Sequence, residues 1–544
     1  MRFIKKYKFG LLIIFLFVLS RWPDLGHDMF NTDVWKWKAR TFDFGTGVFT
    51  LDLDKTVQKY HPGVTLMWTG TIAVKFFNFY KDLVLAKNGY TELQEVFALH
   101  AFQKFFVVLA IGTVLAFIFY PLKKLFGNKY AFLSVLLIAL EPFNIALTRV
   151  FHLEGLMSIF MVASFVWYYY FLYSVTEDDY QKGIRLYYKK ALYISAAFGA
   201  LAVLTKTSAL VLLPMIFLMD LQANKFKFYL DNIFLWAGVF VISLAVFWPV
   251  IITNPALVFA TLYKGIFEVG IVGEHFQLFN GKWVEDPGLM FYPVVFLYRS
   301  SLYLFFGLIG YLFMITRKSF EKSRSRMYKF SFHALVFALF YIVVISLPTK
   351  KLDRYILPAM LLLVFPVAEY INNLIHGTKN KVIIKSVVLA IPLAFTVFYL
   401  HPNYFSYYSP LFGGLKKGIF VLEPKWMFGQ RELQRSLQLQ QQADGLQKFE
   451  KGESLDEFVS NEAVKQKFTV GFLEKYYTQM WPFVEEIGGK ATILDIAAHA
   501  KSSNYFVFPV WDDKAYLENR VKLEYTASVM VRGVETYKIY RVLH

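Results

Sequence analysis

Long apolar runs separated by short, mostly basic polar segments set the pattern of this chain. At about 20 residues per membrane-crossing helix, the runs near 100–120, 130–148, 155–174, 230–252, 291–316, 330–347, 355–375 and 383–400 read as spans. A shorter run, Phe9–Ser20, follows a basic start of Arg2, Lys5, Lys6 and Lys8. No small-residue cleavage pattern precedes Arg21-Trp22-Pro23, so it reads as an uncleaved first span with its N-terminus inside. Residues 190–222 are apolar but broken by Thr205-Lys206-Thr207-Ser208, the pattern of two short spans forming a hairpin.

The run Gly63–Tyr80 is the ambiguous one. Taken as a span, it would put the basic loop Arg317–Lys329 outside, against the bias of Lys and Arg toward the cytoplasm. Taken as a juxtamembrane amphipathic helix, it leaves Lys123/Lys124/Lys129, Lys182–Lys190, Lys225/Lys227, Arg317–Lys329 and Lys379–Lys385 inside. The second placement predicts a polytopic α-helical membrane protein of about eleven spans. It turns Arg21–His100, Arg149–Glu154, Lys206, Thr253–Pro287, Pro348–Tyr355 and everything after Leu400 outward.

After His401 the long apolar runs stop. Gly429–Glu450 is Gln-rich and helical in pattern. Short apolar segments follow at Phe468–Phe472, Tyr505–Pro509, Val521–Met530 and Glu535–Val542, bounded by turn residues. The expected organisation is a transmembrane domain over 1–400, with a first outer loop at 21–99, and a small extracytoplasmic α/β domain over 401–544.

Composition agrees with the membrane class: 544 residues, 56% hydrophobic and 19% aromatic, with mean hydropathy +0.42. The net charge of +18 is scattered in clusters between apolar runs, so topology accounts for it and nucleic acid is not an expected partner. The absence of Cys excludes disulfides and thiolate metal sites. No internal repeat or low-complexity segment stands out.

The polar stretch Arg21–Thr69 carries Asp24, Asp28, Asp33 and Asp43 among aromatic residues. Asp33, just past the first span, suits a general base for an acceptor hydroxyl or amine; it equally suits a helix cap, and the other three acids compete with it. His61-Pro62-Gly63 reads as a turn before a helix, with His61 either solvated or facing substrate. Arg149, His152 and Glu154 sit where a span meets the outer surface, and ionisable groups at that depth are usually functional, snorkelling aside. Pro348-Thr349-Lys350-Lys351-Leu352-Asp353-Arg354-Tyr355 gathers cations on the outer side, against the charge bias. An anionic headgroup would explain it, Arg forking onto phosphate oxygens and Lys acting as a point charge. Lys206, within an apolar hairpin, needs an anion partner. The loop from His275 to Gly281, with Asp286-Pro287-Gly288 after it, offers aromatic faces and carboxylates to a sugar, or is an ordinary outer loop.

Dinucleotide, Walker A, His-Glu-x-x-His and nucleophile-elbow signatures are missing, so a membrane-borne donor is expected over a soluble nucleotide sugar. In chain order, Asp33, His61-Pro62-Gly63-Val64-Thr65, Arg149 with Glu154, Leu204-Thr205-Lys206, Asp286-Pro287-Gly288 with Phe291-Tyr292-Pro293, and Lys351 to Pro358 stand as a set. His401 to Tyr408, Gly413-Gly414, and Trp426 followed by Gly429-Gln430 extend it. This set resembles the C-type membrane glycosyltransferases, the superfamily of protein O-mannosyltransferases and lipid A aminoarabinose transferases.

The resemblance implies inverting transfer of a sugar from a polyprenyl-phosphate donor to a protein, lipid or glycan acceptor on the outer face of a plasma (inner) membrane. It would make Asp33 the base, with Glu154 and Arg149 building the site. Lys350, Lys351 and Arg354 would hold the donor phosphate with Arg149 and Lys206, and His61, His275, Asp286 and Tyr355 would face substrate. No cofactor is required; a divalent metal is compatible, but no ligand cluster calls for one. The chain departs from the family pattern in having Asp33-Val34 where an Asp-Glu pair is usual, His-Pro-Gly for His-Pro-Pro, and Glu154 for the usual Asp. A lipid or sugar transporter would more often show paired halves with broken helices, and a scaffold would not need outward cations facing outward acids.

Overall fold

The computed structural model describes residues 2–59, 61–85, 89–174, 185–222, 226–271, 276–316, 325–375, 391–450, 468–512 and 521–543. Apolar sequence makes most of it helical: α1 (Arg2–Leu19), α2 (Val34–Phe49), α3 (Val64–Tyr80), α4 (Glu92–Leu140), α5 (Pro142–Thr148), α6 (Leu153–Ser174), α7 (Arg185–Thr205), α8 (Leu212–Gln222) and α9 (Phe226–Phe247). These are followed by α10 (Phe291–Arg299), α11 (Leu302–Thr316), α12 (Arg326–Ser346), α13 (Leu357–Leu374) and α14 (Ile391–Leu400). Among the described residues, α4, α6, α12 and α13 are long and apolar enough to cross a membrane, and α10 with α11 forms one further, bent candidate. Shorter apolar helices lie at Lys8–Leu19, Thr207–Met219, Asn232–Phe247 and Ile391–Leu400.

Helix α6 is apolar on all sides and is buried almost throughout, against α4, α7 and α13, as expected of a helix at the centre of a bundle. Its N-terminal turn carries Glu154. Helix α4 opens with a Thr91/Gln94 capping box and contains Pro121 and a non-helical Gly127 at φ +86°.

Several expected spans end elsewhere. The run 130–148 stops at Leu140, because extended Glu141 and Pro142 start the separate helix α5. The run 291–316 is two helices bent by 116°. Ser300 is extended between them, while the Ser301 amide and hydroxyl donate to the two oxygens of buried Glu141 at 2.9 and 2.6 Å. Hydrogen bonds at the corner therefore hold it sharply bent. Within 190–222 the helix breaks where the polar interruption was expected, at Lys206, whose backbone is extended. Of the run 383–400, residues 383–390 lie outside the described ones.

The loop expected around Phe276–Gly281 contains a small hairpin, β1 (Gln277–Phe279) with β2 (Lys282–Val284), turning at Asn280-Gly281 with positive φ at both residues. After α14 come α15 (Gly414–Val421), α16 (Gln430–Glu450) and α17 (Glu474–Glu486). With them stands a five-stranded sheet of β3 (Thr469–Phe472), β4 (Lys490–Ile493), β5 (Tyr505–Pro509), β6 (Lys522–Val531) and β7 (Val534–Leu543) in the order β4-β3-β5-β7-β6. The first three strands are parallel and β7 is antiparallel to both neighbours.

This last part is bonded to the first loop. The Phe30 amide donates to Gln430 Oε1 at 2.9 Å, Gln430 Nε2 donates to the Phe30 carbonyl at 2.8 Å, and the Trp35 indole donates to the Thr478 carbonyl at 2.6 Å.

Candidate active site

Helix ends bring the chemistry-bearing side chains together. Asp33 occupies the N-cap position of α2 but makes no capping bond. Its carboxylate turns instead to His152 Nε2 at 3.5 Å, to the Arg354 guanidinium at 3.7 Å and to Lys36 at 3.9 Å. His152 precedes α6 and contacts Glu154 through Nδ1. Glu154 also meets Lys206 Nζ at 3.2 Å and Arg354 Nε at 3.5 Å. That Nε is buried and has no hydrogen-bond partner. Lys206 lies 3.5 Å from the Tyr355 ring centroid, and the Arg354 guanidinium stacks 4.5 Å from that of Trp426.

Backbone conformation places the His61 turn at the same spot. Gly63 has φ +62°, donates its amide to the Thr205 carbonyl at 3.1 Å and lies against Trp37. The Thr65 and Thr205 hydroxyls are 2.6 Å apart. Proline, with φ held near −65°, cannot adopt this turn, which is why His-Pro-Gly stands here. Val34 is fully buried, so a second acid at that position would point into the core. Glu154 is the second carboxylate the structure brings to Asp33's neighbours.

Charge is unevenly balanced in this cluster. Lys206, Lys350 and Arg354 face Asp33 and Glu154, with His152 between the acids. Burial works to raise the Asp33 pKa, but the His152 contact and the charges of His152, Arg354 and Lys36 outweigh it and hold the group below the carboxylate range. Burial would lower the His152 pKa, yet Glu154 and Asp33 raise it above its ordinary value. His61 is held well below its ordinary value by burial and by Lys206, so it stands neutral. The Lys350 pKa is lowered by burial and by the nearby charges of Arg354 and Lys206. A phosphate would relieve that crowding.

Of the residues expected from sequence, Asp33, His61, Glu154, Lys206, Lys350, Arg354 and Tyr355 share this neighbourhood. Others do not. Arg149 was expected at the phosphate; its Nε and NH2 donate to Asp28, and NH1 and NH2 to the carbonyls of Arg21 and Pro23. Those bonds leave it a loop tie. Lys351 was expected there too, but its buried Nζ donates to Asp286 at 2.6 Å and to the Pro348 carbonyl at 2.7 Å. Asp286 is thereby paired and also accepts from the Gly288 amide, so it acts as a turn brace. His275 lies outside the described residues.

The competing acids separate as well. Asp28 is buried between Lys104 and Arg149, Asp24 pairs with Arg431 and His401, and Asp43 is exposed.

Two contributors are named in the sequence reading without a specific role. His152 is the hinge between the acids, and its place next to Glu154 was the available signal. Trp426 arrives from the far part of the chain, where only its position before Gly429-Gln430 marked it. Among the described residues, no three His, Asp or Glu side chains gather as a metal-holding group.

Residues 96–252 match the family model described as dolichyl-phosphate-mannose-protein mannosyltransferase. The stretch holds Arg149, His152, Glu154 and Lys206 but neither Asp33 nor Arg354. No curated protein matches the chain. Among solved structures, ArnT from Cupriavidus metallidurans bound to undecaprenyl phosphate is similar, with TM-score 0.48 and 11% identity over 98% of each chain. The archaeal oligosaccharyltransferase AglB from Archaeoglobus fulgidus, in complex with an inhibitory peptide and a dolichol-phosphate, is similar with TM-score 0.45 and 13% identity over 96% of this chain and 73% of its own.

Proposed function

We propose that the chain is an inverting glycosyltransferase that moves a sugar from a polyprenyl-phosphate donor to a protein, lipid or glycan acceptor on the outer face of a plasma (inner) membrane. The observation that carries this reading is the array of Asp33, His152, Glu154, Lys206, Lys350 and Arg354, in which a part-exposed carboxylate faces cations that exceed their acid partners. In this reading residues 1–400 form the membrane domain, of about eleven spans, with the base in the outer loop 21–99. Residues 401–544 form an outer α/β domain that supplies Trp426.

The donor phosphate lies on Arg354, Lys350 and Lys206, the fork of Arg354 taking two oxygens. The sugar C1–O bond breaks, and its electron pair leaves with the polyprenyl phosphate. The acceptor oxygen or nitrogen bonds to C1 from the opposite face and gives its proton to Asp33. A phosphate already leaves well, so positioning and charge stabilisation are the main tasks. Donor binding also strengthens the base, because an anion that engages Arg354 removes part of the positive field holding the Asp33 pKa down.

The test is transfer of label from radiolabelled polyprenyl-phosphate hexoses and pentoses in membranes containing the wild-type chain. Label appearing in an acceptor supports the reading. If no donor on the panel is consumed, the reading fails.

A further inference from the structure

A cavity of about 1150 Å³ opens between α11, α13, α14 and residues 406–416, sharing no lining residue with the small cleft beside Arg354. The two are separated by a wall in which Tyr408, which lines the cavity, accepts from Arg299 at 3.1 Å. Arg299 in turn holds Asp353, the neighbour of Arg354, at 2.7 Å.

The walls are apolar: Leu302, Phe306, Ile371, Leu374, Phe395 and Tyr399. Among the described residues, the charged ones lining the cavity are Lys416 and Arg532, with no Asp or Glu. A second cavity of about 500 Å³, lined by Lys416, Lys417, Asn280 and Gly281 among others, shares Gly413 and Lys416 with the first. Among the described residues, it too has no acidic lining residue. A hydrocarbon chamber thus ends in a cationic vestibule.

Arg532 reaches the chamber from the β6–β7 turn, where Arg532 and Gly533 both have positive φ. Its guanidinium stacks 3.9 Å from the Tyr399 ring centroid and donates from NH1 to Ser406 Oγ at 3.2 Å, while its buried Nε has no partner. Among the described residues, no carboxylate lies within ion-pair distance of Arg532, Lys416 or Lys417. Apolar walls that stand open at Leu302, Phe306, Leu374 and Phe395, beside a part-buried Arg532 without a counter-charge and an exposed Lys416, suit a ligand that is hydrocarbon at one end and anionic at the other.

We propose that this chamber holds a membrane phospholipid with an anionic, phosphate-bearing headgroup, its hydrocarbon against Leu302, Phe306, Ile371, Leu374 and Phe395 and its headgroup on Arg532 and Lys416. It is a second lipid site, separate from the one beside Asp33, and it stands whether or not the transferase reading does.

The test uses the full chain, delipidated in detergent and titrated with phosphatidylglycerol or phosphatidylcholine, with bound lipid counted by native mass spectrometry. The expected result is at least about tenfold weaker binding of phosphatidylcholine, and of phosphatidylglycerol by the double variant Arg532→Gln/Lys416→Gln. Leu302→Trp, which fills the chamber without changing charge, blocks the lipid while the unfolding midpoint holds. Arg354→Ala leaves phosphatidylglycerol binding unchanged.

Equal affinity for the two lipids, or a double variant that binds like wild type, overturns the proposal. Loss of binding in Arg354→Ala would make the chamber part of the donor site and also overturn it. Inorganic phosphate that competes fully with the lipid, with Leu302→Trp having no effect, would show an anion site without a lipid.

Discussion

The Arg354 guanidinium stands 3.7 Å from Asp33 Oδ2, tying the segment before α13 to the first polar loop. The same side chain reaches Glu154 and stacks on Trp426, three tasks that a flat, forked cation can perform together and an ammonium cannot. Arg354→Lys is therefore expected to keep the fold but raise the donor KM by about tenfold or more, the cost of one lost charge-assisted bond. Steady-state transfer at varied donor concentration checks this.

Asp28 and Asp33 have opposite roles although both lie in the same loop. Asp28 is buried against Lys104 and Arg149, so Asp28→Asn strands two buried cations and is expected to cost about 3–5 kcal/mol. Asp43 is exposed, and Asp43→Asn is expected to change stability by less than about 0.5 kcal/mol. Thermal unfolding of the purified variants separates the two.

His152 gives the site a pH dependence with a definite sign. A histidine whose pKa is raised in the folded protein contributes stability that is fully present below its ordinary value of about 6.5. That contribution is lost as pH rises through the raised value. The unfolding midpoint of wild type should therefore exceed that of His152→Gln by more at about pH 6 than at about pH 9. A gap that widens with pH would refute the ion-pair role.

At Gly63 the backbone is left-handed, and an added Cβ would lie 2.3 Å from the Trp37 ring. Gly63→Ala is expected to cost about 1–3 kcal/mol from the backbone alone. It should also slow transfer, because the displaced Trp37 packs edge-on to His152. Differential scanning fluorimetry with a transfer assay reads both effects.

The sequence revealed the site unevenly, for a physical reason. Lys206 and Glu154 could be found because ionisable groups interrupting apolar runs are costly and therefore conspicuous. The cations before α13 were conspicuous in the same way, but which acid each would meet depends on how separate loops close on one another. Lys351 found Asp286 and Arg149 found Asp28, pairings that local spacing does not encode. Apolar runs located the helices, whereas the bend at Ser300–Ser301 depends on Glu141, far away in the chain. The stacking of Trp426 on Arg354 was out of reach for the same reason.

The most direct test of the account pairs two variants in one assay, with donor binding and transfer measured separately on folded protein. Asp33→Asn should bind polyprenyl-phosphate sugar as wild type does but transfer it about 10²–10⁴-fold more slowly. Arg354→Ala should lose donor binding itself. If Asp33→Asn transfers at the wild-type rate, Asp33 is not the base and the central claim is wrong.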